Sequence, residues 1–117
     1  MRFYAVRSIF FSLLLAFPTL SPAMSLSYYL EERANKFVEA YVMGLGQGVF
    51  STSVAFGAER QSKLFCLPPK LAITNNLVKS LLDQEIDKPV DGRPYAQETP
   101  IELIMVKSFI GRFPCGG

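Results

Sequence analysis

The chain contains no histidine among its 117 residues. That absence removes the commonest general base, the catalytic triads built on it and most zinc sites. Cysteine is scarce as well: there are two, Cys66 and Cys115, with no CxxC spacing. A reactive thiol or a thiolate metal site would therefore lack its usual partners. Lys and Arg form no cluster, so the electrostatic footprint of nucleic-acid binding, or of attraction to an anionic membrane surface, is missing. No alternating strand pattern of any length occurs. The run Gly44-Leu45-Gly46-Gln47-Gly48 has neither the preceding strand nor the spacing of a phosphate loop. These exclusions argue against an enzyme and against any metal or cofactor.

What is present starts with an export leader. Arg2 and Arg7 stand ahead of and beside an apolar run from Ile9 to Phe17, and Pro18, Pro22 and Ala23 close the segment. The run is too short to span a bilayer as a mature helix. Small residues permit cleavage after Ala23 or after Ser25. Residues 1–23 are thus read as a signal peptide and 24–117 as one small domain, located in the periplasm with no stable membrane insertion after cleavage. The leader takes Arg2 and Arg7 with it, leaving ten basic against ten acidic residues and no net charge. In an oxidising compartment an even cysteine pair reads as a disulfide.

The mature part reads as all-α. Leu30, Ala34, Phe37, Val38, Tyr41, Val42 and Leu45 recur at helical steps after Ser27, which predicts one amphipathic helix capped by that serine. No charge occurs from Ala40 to Ala58, and this stretch is expected to be a buried core helix with a break near its glycines. Within it Ala40, Gly44 and Gly48 form a ladder of small residues suited to helix packing, including packing in a homodimer. Thr74 caps a second helix with Leu77, Val78, Leu81, Leu82 and Ile86 on its apolar face. Thr99-Pro100-Ile101-Glu102 is a capping-box start for a third, and its apolar run to Phe113 makes that helix central. The expectation is a small three- to four-helix bundle with one disulfide, the Cys66–Cys115 bond locking the last two helices as a hairpin. Asp83 and Asp87, one helical turn apart, are read as solvated charge.

Phe65-Cys66-Leu67-Pro68, the threonine-capped helix, the proline-started last helix and the terminal Phe113-Pro114-Cys115 resemble the Rap/Tai family of small periplasmic immunity proteins. Ala40-Tyr41-Val42-Met43-Gly44 is similar to a segment of that family's first core helix. The likeness covers about residues 35–115. It implies a helical, disulfide-bonded, often dimeric fold that neutralises a peptidoglycan amidase toxin of the type VI secretion system by blocking its active site. It also implies that Cys66 and Cys115 are the family's disulfide. Many members carry a further cysteine pair that this chain lacks, and the segment from Asp87 to Glu98 is longer than the family's short link. Asp87, Lys88, Asp91, Arg93 and Tyr95 in that segment are the expected partner contacts. The competing reading is a chaperone-like or stress-related periplasmic helical protein without a toxin partner.

Overall fold

A computed structural model describes residues 23–60 and 64–116, so the leader read over residues 1–23 lies outside the described residues except for Ala23. The fold is all-α: α1 Leu26–Glu32, α2 Lys36–Arg60, α3 Asn75–Ile86 and α4 Ile101–Arg112, with no strands among the described residues. None of the helices in the described residues is long and apolar enough to cross a membrane.

The first predicted helix is two helices. Asn35 breaks it: its N–H donates to the Glu32 carbonyl at 2.9 Å, and its side-chain oxygen accepts from the Phe37 N–H at 2.8 Å. Asparagine is a strong helix cap, so α1 ends and α2 starts afresh. Ser25, rather than Ser27, caps α1, its hydroxyl accepting from the Tyr28 N–H at 3.2 Å. The remaining free amides of α1 are met from the loop before α4. Leu26 N–H donates to the Thr99 carbonyl at 2.9 Å and Ser27 N–H to the Gln97 carbonyl at 3.0 Å. Seven residues would not hold a helix alone; this lacing and the burial of Leu26 and Tyr29 do.

The expected break at the glycines of α2 does not occur. At Gly46 α3 lies close against α2, since a Cβ there would lie 2.5 Å from Cγ1 of Val78. Tertiary contact thus offsets the poor helix propensity of the three glycines. Nor is α2 buried all round. Val38 and Val42 enter the core, while Phe37, Tyr41 and Val54 are exposed.

Thr74 caps α3 as expected, its hydroxyl accepting from the Leu77 N–H at 3.2 Å. Val78, Leu81 and Leu82 are buried, with Leu77 and Ile86 packed at the margin. The start of α4 departs from the capping box. Pro100 is the cap residue, with no side-chain cap bond, and Glu102 turns instead toward Met24 and Tyr41. α4 buries Ile101, Ile104, Met105 and Phe109 and packs chiefly against α3. Its Leu103 and Ile110 remain exposed.

Cys66 and Cys115 form the disulfide. The connection joins the connector that precedes α3 to the tail after α4, as expected for a bond that closes these two helices as a hairpin. It is reinforced by the Cys66 N–H donating to the Phe113 carbonyl at 2.8 Å. Phe65, Phe109 and Phe113 stack behind it, with ring centroids 5.1 Å and 6.1 Å apart in succession. Tilted contacts of this kind add to the area they bury.

Candidate functional site

Residues 87–99 leave the bundle between α3 and α4 and form its most articulated surface. Asp87 is the C-cap of α3 and is exposed. Beyond Pro89 the chain folds into a two-residue hairpin turn. Val90 and Arg93 exchange backbone hydrogen bonds at 2.6 Å and 3.0 Å, and Asp91 and Gly92 both have positive φ, at 52° and 77°. That pair of conformations is the tight turn for which Asp-Gly is favoured. It holds the side chains of Asp91 and Arg93 outward, both exposed.

The turn is anchored from behind. Tyr95, one of the contacts the sequence suggests, is buried, only 8% exposed, and its hydroxyl donates to Glu85 Oε1 at 2.9 Å. The other oxygen of Glu85 meets the Lys88 ammonium at 3.2 Å, which satisfies a nearly buried carboxylate. Burial, then the bond to Glu85, pushes the Tyr95 phenol up to about 12. The Lys107 ammonium stands 5.7 Å from the centre of its ring. Tyr95 therefore positions the loop and presents no hydroxyl of its own. Between the turn and α4 lies an open groove of about 570 Å³, walled by Val90, Arg93, Pro94, Leu103 and Lys107.

A second, smaller cleft of about 230 Å³ lies among α1, α2 and α3. Its charged groups and its tyrosine are already engaged: Tyr29 donates to Asp83 at 2.7 Å, Arg33 pairs with Asp83 at 3.6 Å, and Lys79 with Glu39 at 3.8 Å. Both ion pairs are largely solvated, so each contributes about 0–1 kcal/mol. Asp83 and Asp87 are not brought together, because Asp83 ties α1 to α3 whereas Asp87 ends α3 in solvent. Among the described residues no group of three His, Cys, Asp or Glu side chains could hold a metal ion.

Among the described residues nothing packs closely on the small-residue ladder. Ala40, Gly44 and Gly48 are exposed, and a Cβ at Gly44 or Gly48 would meet nothing within 4 Å. The helix-packing glycine is Gly46, on the other side of α2. Gly44 and Gly48 instead floor a shallow, mostly apolar groove of about 400 Å³ with Val49, Phe65 and Val106. Sequence reading missed three tyrosine–carboxylate ties, Tyr29–Asp83, Tyr41–Glu102 and Tyr95–Glu85. Each partner lies on a different element, so no local spacing could have revealed them. Comparison of the chain with family models, with curated proteins and with solved structures returns no match in any of the three.

Proposed function

We propose that the chain is an exported, periplasmic binding protein that neutralises a secreted enzyme by occlusion. The observation that carries this reading is the charged Asp91–Gly92 turn, held out from the bundle by the buried Tyr95–Glu85 bond. A pre-formed protrusion loses little conformational freedom when it enters a concave site, and that economy is what steric inhibition needs. Asp91 and Arg93 at its tip, with Lys88 and Lys107 beside it, supply charges of both signs for register. The resemblance to the Rap/Tai family names the target class as a peptidoglycan amidase delivered by type VI secretion, and the mechanism as blockage of its active site. No step of chemistry is required of this chain. Asp87, Lys88, Asp91 and Arg93 are the contacts under this reading, with Tyr95 as the residue that positions them.

The test is capture and rescue. The mature, disulfide-bonded chain is used to draw partners from periplasmic and secreted fractions, and its co-expression is scored for protection against a periplasmic amidase. One stoichiometric partner together with protection is the expected result. A chaperone-like role is the second reading, favoured by the exposed Phe37, Leu64 and Leu103. It is supported instead if many unfolded clients are recovered and no single partner dominates.

A further inference from the structure

Glu102, in the first turn of α4, is turned away from its own helix. Its Oε1 accepts from the Met24 N–H at 3.2 Å and from the Tyr41 hydroxyl. Its Oε2 is buried and, among the described residues, has no hydrogen-bond partner. The ion pairs among the described residues leave this carboxylate without a lysine or arginine. A half-buried carboxylate with one buried oxygen that faces only neutral donors is incompletely compensated for its lost water. A cation with several donors would compensate it better than a neutral amide, and the Met24 nitrogen already stands against this carboxylate.

The same nitrogen is one side of a bond that the leader pattern marks for cleavage. The geometry points to hydrolysis of the Ala23–Met24 bond during export, followed by capture of the new Met24 α-ammonium by the Glu102 carboxylate. The export peptidase adds one water across the amide. The C–N bond breaks, Ala23 leaves with the hydroxyl as a carboxylate, and the Met24 nitrogen takes up protons to become an ammonium at neutral pH. One neutral donor becomes three charged ones without the nitrogen moving. Charge-assisted bonds of this type are roughly twice as strong as neutral ones.

Cleavage after Ser25, the other position the sequence permits, would dismantle the fold's own fastening. It would remove the Met24 carbonyl that accepts from the Ile101 N–H at 2.9 Å, and the Ser25 hydroxyl and carbonyl that receive the Tyr28 and Tyr29 amides at 3.2 Å and 3.0 Å. Met24 also packs its side chain against the core. The start at Met24 keeps all of these contacts.

This inference rests on the export reading, and the experiment separates the two. The full chain is expressed in an exporting host, and the N-terminus of the periplasmic form is sequenced. The purified mature chain is then melted with a free Met24 amine, with that amine acetylated, and with Ala23 retained, each with Glu102 and with the substitution Glu102→Gln. The expected start is Met24, and acetylation or the extra alanine lowers Tm by roughly 4–8 °C. Glu102→Gln abolishes most of that difference. Should the Glu102→Gln chain fail to fold, the three wild-type forms alone decide, because only the free Met24 amine is expected to melt high. An exported chain starting at another residue, or the same Tm for all three wild-type forms, overturns the inference while leaving export intact. Retention of the uncut chain in the cytosol overturns both.

Discussion

At Gly46 a methyl group would stand 2.5 Å from Val78 Cγ1, whereas at Gly44 and Gly48 it would meet nothing within 4 Å. Three glycines in one short run therefore have opposite substitution outcomes. Gly46→Ala is expected to destabilise the fold by about 1–3 kcal/mol through overpacking against α3. Gly44→Ala and Gly48→Ala are each expected to stabilise by up to about 1 kcal/mol through helix propensity. Urea unfolding midpoints check both signs. The tyrosines give a second prediction. The bond to Glu102, then burial, pushes the Tyr41 phenol up to about 12, and burial followed by the bond to Glu85 does the same for Tyr95. Burial and the bond to Asp83 raise Tyr29 still further. A phenol whose pKa is higher when folded than the ordinary value of about 10 binds its proton more tightly in the native state. Its stabilising contribution is thus complete below about pH 10 and lost as pH rises toward the folded value. Stability is expected to fall between about pH 10 and 12, and tyrosinate absorbance in the folded protein should lag behind that of the unfolded chain.

Among the elements, α3 was readable because its signals are local: Thr74 in the cap position, then an apolar face three and four residues apart. The disulfide was readable because the chain has only two cysteines to pair. The division of α1 from α2 was hidden, since apolar spacing continues across Arg33 to Asn35 and the cap acts through one asparagine side chain. The start of α4 misled, because Glu102 completes a capping-box pattern but is claimed by Met24 and Tyr41, remote in sequence. Tyr95 misled in the same way: a tyrosine in a polar loop reads as exposed until its carboxylate partner on α3 is known. Two predictions concern these elements. The disulfide closes a separation of 49 residues, for which chain entropy gives about 4 kcal/mol, a large part of a small domain's stability. Paired Cys66→Ser and Cys115→Ser substitutions are expected to lower the unfolding free energy by roughly that amount, read by denaturant titration. Gly92 sits at φ 77°, so Gly92→Ala is expected to strain the turn by about 1 kcal/mol, while leaving the helical circular dichroism unchanged.

For the molecule as a whole, the physical claim is that a helical body, tied by one covalent bond and three tyrosine–carboxylate contacts, holds a charged turn rigid enough to act by fit alone. The turn can be altered without touching the body, because Asp91 and Arg93 face solvent whereas Tyr95 and Glu85 bear the anchoring. Asparagine tolerates the left-handed backbone at position 91, so Asp91→Asn with Arg93→Glu changes the charge of the tip and preserves its shape. The most direct measurement is the hydrolysis of peptidoglycan by a type VI amidase, titrated with the oxidised mature chain and with this double variant. The expected result is stoichiometric inhibition by the wild type and at least a tenfold weaker effect from the variant, about 1.4 kcal/mol or more, at an unchanged unfolding midpoint. Hydrolysis untouched by the wild-type chain, or inhibited equally by the double variant, would contradict the claim.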